Sequence, residues 1–471
     1  MSRKAPSDQT LKRLAAIVGE RGAIWPGAEQ QPYLEEWRGK WHGRTPLVLR
    51  PASTQEVSQL LAIAHETSTA VVPQSGNTGL VGGQIPDANG HEVLLSLDRM
   101  TAVRNVDAAD FTLTAEAGCT LKSVQDAAAA SDRYFPLSLA SEGSCRIGGN
   151  LASNAGGLNV LAYGNARDLC LGLEVVLSDG RIWNGLRKLR KDNTGYDLRD
   201  IFIGSEGTLG IITAAVLKLF PPIRRRDTAF VALTSPASGL ALLSHAQSRT
   251  GRRVIAFELM PDIGVSFAEK HMGARRPLAT ASDWYVLMEL ADSSGEELAA
   301  ILEHALEQGW ISDAVVAQSD AQHQALWDVR EKMSEAQKFE GGSIKHDVAV
   351  PLSQLATFIS EALAAVTAFI PDCRPVCFGH MGDGNLHFNV SQPVGMDKQK
   401  FLALWRSLNE VVHELVLRHG GTISAEHGIG ILKKDEMRKI KSPVELELMW
   451  GLKHLLDPQG ILSPGRVLPD R

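Results

Sequence analysis

Ser141-Glu142-Gly143-Ser144-Cys145-Arg146-Ile147-Gly148-Gly149-Asn150-Leu151-Ala152-Ser153-Asn154-Ala155-Gly156-Gly157 is the stretch on which the fold turns. Paired glycines, small hydroxyls and two asparagines make a backbone that other groups can approach closely and that offers many hydrogen-bond donors. Such a surface is flat and narrow, and it suits a planar heterocycle with a polar, phosphate-bearing tail. Two further stretches share its character: Pro73-Gln74-Ser75-Gly76-Asn77-Thr78-Gly79-Leu80-Val81-Gly82-Gly83 upstream and Ile203-Gly204-Ser205-Glu206-Gly207-Thr208-Leu209-Gly210-Ile211-Ile212 downstream. Between Gly76 and Gly210 lie 19 of the chain's 43 glycines, twice the density of an average composition, which is ~7%. Taken alone, the first loop reads equally as a tight-turn cluster or a phosphate cradle, since it has neither Gly-x-Gly-x-x-Gly nor a Walker lysine.

Working outward, apolar periodicity predicts a helix over 9–20, then strand, helix (54–66) and strand ending on the first loop. Strands at 93–97, 112–115, 173–177 and 210–219 and a helix at 121–130 follow, and Pro221-Pro222 marks a boundary. From 227 to 318 a strand–helix–strand unit occurs twice without phosphate-loop glycines, which suggests a ferredoxin-like sheet serving as a substrate or cap domain. A helix over 352–369, a strand–loop–strand over 376–390 and a helix over 398–418 precede the last segment. The reading is an α+β chain with an N-terminal helical segment (1–44), a glycine-loop domain (45–222), a cap domain (223–418) and a mostly helical C-terminal segment (419–471) that completes the site.

Composition narrows the function. The 471 residues are 44% hydrophobic and 22% charged with net charge −6, so no basic excess points to nucleic acid. No apolar run of about 18 residues and no signal-peptide core stand out, and the expectation is a cytoplasmic protein without a transmembrane segment. Five scattered cysteines, Cys119, Cys145, Cys170, Cys373 and Cys377, form neither a disulfide framework nor an iron–sulfur ligand run and read as small buried residues.

Histidines concentrate where the glycines thin out. Gly379-His380-Met381-Gly382-Asp383-Gly384-Asn385-Leu386-His387-Phe388-Asn389 sets two imidazoles seven residues apart across a glycine-rich turn, and Ser424-Ala425-Glu426-His427-Gly428-Ile429-Gly430 adds a carboxylate and a third imidazole. A single histidine is more often structural than a ligand. The set is different, because two His and one Glu make a common ligand set for catalytic Zn²⁺, with another group left for proton transfer.

In this order the three glycine stretches resemble the FAD-binding domain of the vanillyl-alcohol oxidase and para-cresol methylhydroxylase (PCMH) superfamily, over about residues 45–222. The resemblance implies that Pro73, Ser75, Gly76, Asn77, Thr78, Gly79 and Leu80 hold the pyrophosphate. It implies that Ser141, Gly143, Ser144, Gly148, Gly149, Asn150, Ser153, Asn154 and Gly156, with Glu206, Gly207, Gly210 and Ile211, line the isoalloxazine and ribityl chain. The first loop has no His or Cys to tether a flavin, so the FAD is expected to be noncovalent.

The histidine motifs, with Asp457-Pro458-Gln459-Gly460-Ile461-Leu462-Ser463-Pro464-Gly465-Arg466, resemble the FAD-linked D-2-hydroxy acid dehydrogenases. By that likeness His380, His387 and Glu426 correspond to metal ligands, His427 to the base at the substrate, and Asn389 to a residue beside metal and substrate. Leu326-Trp327-Asp328-Val329-Arg330-Glu331-Lys332-Met333-Ser334 and Ser343-Ile344-Lys345-His346-Asp347 look like the 2-hydroxyglutarate branch, in which Arg330, Ser334 and Lys345 would hold a distal carboxylate. Ser334 stands where Thr is common. The physics agrees: Arg grips a carboxylate bidentately, and four residues along a helix put Ser334 on the face of Arg330. The implied reaction is oxidation of (R)-2-hydroxyglutarate to 2-oxoglutarate with FAD and Zn²⁺. D-lactate, D-malate and glycolate are the alternatives, an electron-transfer flavoprotein or quinone the acceptor, and a homodimer a family expectation.

Overall fold

The computed structural model describes residues 4–470. They form two compact units. The first takes in the chain up to Gly157, Gly164–Pro222 and everything from Glu426 onward; the second comprises Leu158–Tyr163 and Ile223–Ala425. This differs from the four-segment expectation, because both ends of the chain fold into the unit that carries the glycine loops. Strand Ala23–Ile24 pairs antiparallel with Val48–Leu49. At the other end the backbone of Ile461 accepts a hydrogen bond from Val71 N–H at 2.8 Å. Buried Lys453 ties the C-terminal helix Pro443–Leu456 down by reaching Asp457 (2.6 Å) and the carbonyls of Thr208 and Leu462 (both 2.8 Å). Arg466, also buried, meets both oxygens of Glu92 at 3.0 and 2.9 Å.

The first unit holds two sheets. Four strands run in the order Ala23–Ile24, Val48–Leu49, Glu92–Ser96, Ala70–Gln74. The helix Thr54–Glu66 starts where Ser53 Oγ accepts from Glu56 N–H, and it packs Val57, Leu60, Leu61 and Ala64 into the core below. Five antiparallel strands form the second sheet: Val103–Asp107, Thr112–Glu116, Ile211–Lys218, Cys170–Val176 and Ile182–Gly185.

The second unit is built on one seven-stranded antiparallel sheet, in the order Ile311–Val316, Arg226–Leu233, Trp284–Ala291, Val254–Pro261, Arg374–His380, Asn385–Ser391, Ser343–Ala349. The first four strands have the ferredoxin-like order expected from the repeated unit, and the strand–loop–strand with its partner extends that sheet sideways. One helix, Leu352–Phe369, has the length and apolarity of a membrane span, with mean hydropathy 1.4, a feature the sequence reading passed over. Its buried residues Leu355, Phe358, Ile359, Ala362 and Val366 recur at helical spacing on one face, as in a helix laid against a sheet, and Phe358 meets Phe388 at 6.2 Å. All five cysteines are free and buried.

Candidate active site

In the first unit the glycine stretches are fastened to one another by backbone contacts that a side chain would block. Ser75 Oγ accepts from Gly149 N–H at 3.1 Å, joining the first loop to the second. A Cβ on Gly76 would lie 2.8 Å from Cys145 Cα, one on Gly148 2.7 Å from Ala117 Cβ, and one on Gly207 2.5 Å from Pro73 Cγ. Much of the local glycine excess thus serves approach of chain to chain. Asn77, Asn154 and Glu206 adopt left-handed backbone at φ 53°, 52° and 51°, a strained placement for residues with side chains. Asn77 turns its amide to the carbonyls of Pro32 and Glu35 (3.0 and 2.9 Å), and Asn154 Oδ1 accepts from Arg167 N–H (3.0 Å), so both side chains brace their loops.

The same loops hold the Glu426–Gly430 segment. Glu426 Oε1 accepts from Gly157 N–H at 2.6 Å, and a Cβ on Gly156 would strike that oxygen at 2.6 Å. Glu206 receives Ile429 N–H on one oxygen (2.7 Å) and Gly430 N–H on the other (2.8 Å). Burial pushes the Glu206 carboxyl above its ordinary pKa, against the opposing pull of those two amides and of Lys433. Glu206 and Gly156, both expected at the flavin, are therefore seated under the loop that carries Glu426 and His427.

In the second unit strand alternation collects the polar residues. Across the paired strands Lys345 faces Asn389 and Asp347 faces His387, while Phe378 faces His387 and Glu258 faces His380. With period two, these side chains share one face, and Ile344, His346, Leu386, Phe388 and Val390 occupy the other. The turn Met381–Asp383, closed by left-handed Gly384, folds the two imidazoles together, with ring centroids of His380 and His387 5.5 Å apart. Helix Asp320–Ala336 lies over the polar face and brings Arg330 and Ser334 to it. Lys345 Nζ stands 3.4 Å from Ser334 Oγ. Arg330 is buried, its guanidinium 4.8 Å above the Phe378 ring, and its Nε donates to Glu258 Oε2 at 2.8 Å. The two Nη groups make no hydrogen bond to any described residue, which leaves the fork available to a carboxylate.

Two buried polar positions beside these residues are not singled out by the sequence. Gln337, one turn beyond Ser334 and 1% exposed, accepts from Asn389 Nδ2 at 3.1 Å and thereby fixes it. Glu258, also 1% exposed, takes His380 Nδ1 on Oε1 at 2.6 Å and Arg330 on Oε2. Burial alone would raise its pKa; the charges of His380 and Arg330 outweigh that and hold it at about 2. A lone acid inside the apolar run Val254–Pro261 was the available signal.

Comparison with known proteins matches most of the chain. Residues 45–185 match the family model described as FAD binding domain, and residues 223–467 match FAD linked oxidases, C-terminal domain. A mitochondrial D-2-hydroxyglutarate dehydrogenase of Arabidopsis thaliana is 37% identical, over 96% of this chain and 80% of its own. The D-2-hydroxyglutarate dehydrogenase of Xanthomonas citri pv. viticola is 39% identical over 93% of both chains. A mitochondrial chain of Schizosaccharomyces pombe, 38% identical over 97% of this chain and 90% of its own, is provisionally named a D-lactate dehydrogenase. Substrate-bound p-cresol methylhydroxylase shares the fold, with TM-score 0.76 at 15% identity over 98% of this chain and 97% of that one.

Proposed function

The chain belongs to the FAD-linked D-2-hydroxy acid dehydrogenases, and from that premise we propose that its substrate is (R)-2-hydroxyglutarate, oxidised to 2-oxoglutarate. The observation that best supports this substrate is the cationic group on the sheet of the second unit: Arg330 with both Nη groups unengaged by described residues, and Lys345 beside Ser334 Oγ at 3.4 Å. Two cations and a hydroxyl suit a second carboxylate. The methyl group of lactate offers them no charge to pair with.

The residues fit a divalent cation. His380 presents Nδ1 to the Glu258 carboxylate, the arrangement in which a neutral ring offers Nε2 to a metal, and His387 stands edge-on to it with ring centroids 5.5 Å apart. Glu426 stands one peptide bond beyond Ala425, where the chain passes from the second unit to the first. We read His380, His387 and Glu426 as the ligands of Zn²⁺. When bound, FAD supplies the hydride acceptor and Zn²⁺ the Lewis acidity that makes the α-hydroxyl acidic. His427, on the loop anchored by Glu206, accepts the hydroxyl proton. Arg330, Ser334 and Lys345 hold the distal carboxylate and Asn389 the α-carbon end, which orients Cα–H. Electrons leave to an electron-transfer flavoprotein or a quinone. Five free buried cysteines are in keeping with a reducing compartment, cytoplasm or mitochondrial matrix.

Anaerobic bleaching of the flavin by a panel of D- and L-hydroxy acids tests the assignment. D-2-hydroxyglutarate should bleach at the lowest concentration and the L-acids not at all. Equal bleaching by D-lactate and D-2-hydroxyglutarate would refute the second-carboxylate reading. Chelation should abolish turnover and zinc restore it.

A further inference from the structure

We propose that Glu258 is a positioning residue shared by two parts of the site: one carboxylate oxygen sets the tautomer and aim of His380, and the other sets the plane of Arg330. The proposal rests on the reading of His380 as a metal ligand and of Arg330 as the grip on the distal carboxylate.

The geometry lies within one unit. Glu258 is on the central strand Val254–Pro261, directly across from His380, the last residue of the neighbouring strand Arg374–His380. Its Oε1 meets His380 Nδ1 at 2.6 Å and its Oε2 meets Arg330 Nε at 2.8 Å. All three side chains are buried, and Phe378 closes the guanidinium from below. A carboxylate can only accept, so Nδ1 carries the proton, and the neutral ring then has its lone pair on Nε2. A guanidinium held at Nε by one carboxylate and stacked on a ring keeps its two Nη groups in a fixed plane. One side chain therefore defines both the ligand nitrogen and the direction of the fork. A carboxylate that merely balanced charge would need contact with only one of the two.

Glu258→Gln separates the functions. Arginine has no tautomer that accepts, whereas imidazole has one. The amide will therefore turn its oxygen to Arg330 and its NH₂ to Nδ1, which moves the imidazole proton to Nε2. Zinc affinity of the FAD-loaded protein, measured by competition with a chromophoric chelator, should fall about 10- to 100-fold. The preference for 2-oxoglutarate over pyruvate, read at saturating zinc from the perturbed flavin spectrum, should stay as in the wild type. Glu258→Ala should lose both. Glu258→Asp, with the charge kept, should lie between Gln and wild type in zinc affinity, and it carries the test if the alanine variant does not fold. Wild-type zinc affinity in Glu258→Gln overturns the proposal, as does an unchanged 2-oxoglutarate preference in a folded Glu258→Ala. His387→Ala distinguishes the premise: if it still binds zinc like the wild type, the metal reading fails first and the Glu258 proposal falls with it. If His387→Ala loses zinc while Glu258→Gln keeps it, only the Glu258 proposal is lost.

Discussion

Glu206 and Glu258 each take a hydrogen bond on both carboxylate oxygens, yet their donors differ in kind. Glu206, under the Glu426–Gly430 loop, is met by two neutral backbone amides. Glu258, under the polar face of the sheet, is met by an imidazole and a guanidinium. Their pKa values move in opposite directions as a result, up for Glu206, where burial wins, and down to about 2 for Glu258, where His380 and Arg330 win. The contrast shows how the two units build function. The first arranges backbone around glycines and uses a carboxylate as a clip for a loop; the second arranges charge, and each member depends on its neighbours.

The sharpest way to break this comparison is to remove each carboxylate. Glu258→Ala leaves Arg330 buried without its counter-charge and His380 Nδ1 without its acceptor, and it should cost about 3–5 kcal/mol of stability, read in a denaturant titration of the holoprotein. A loss no greater than that of Glu206→Ala would erase the distinction. Next in size, Arg330→Met should lower kcat/KM for D-2-hydroxyglutarate by roughly 10- to 100-fold, the worth of about 1.5–3 kcal/mol of charge-assisted hydrogen bonding. Steady-state rates with D-lactate should change far less, and equal losses would show that Arg330 acts on the fold and not on the second carboxylate.

Smaller effects probe the backbone side. Gly156→Ala places a Cβ against Glu426 Oε1, and it should cost about 1–3 kcal/mol through displacement of that carboxylate. Flavin content should be retained while zinc affinity drops; loss of flavin with zinc intact would return Gly156 to the cofactor. Smallest is the pH dependence of Glu206. A carboxyl whose folded pKa lies above its unfolded one adds stability that is complete below the unfolded value and is lost as pH rises through the folded value. The melting temperature of the wild type relative to Glu206→Gln should therefore decline as pH rises from about 4.5, the unfolded value. A difference that grows with pH would mean that the amides, not burial, dominate.

Much of this was legible in the chain. The three glycine stretches and the histidine motifs stand out because their chemistry is local: a glycine announces close approach, and His380 and His387 need only a short turn to meet. Arg330 and Ser334 share a helix face by spacing alone. The roles of Gly156 and Glu206 were not legible, because the partner of each lies more than 200 residues away, at Glu426 and at Ile429–Gly430. The Leu352–Phe369 helix is legible as a helix, but its overall apolarity is not, since polar residues interrupt its run and only its packed face shows how it is used.

The sequence by itself determined the order of elements, the ferredoxin-like sheet and the residue types of the site, since periodicity and short motifs act over a few residues. Only the tertiary structure decided that both chain ends belong to the glycine-loop unit, that its glycines brace loops against one another, and that Glu258 joins His380 to Arg330. Strand register across the sheet brings Glu258 opposite His380, 122 residues away. Register is a property of paired strands, set by the summed packing of two faces, and no single segment carries it.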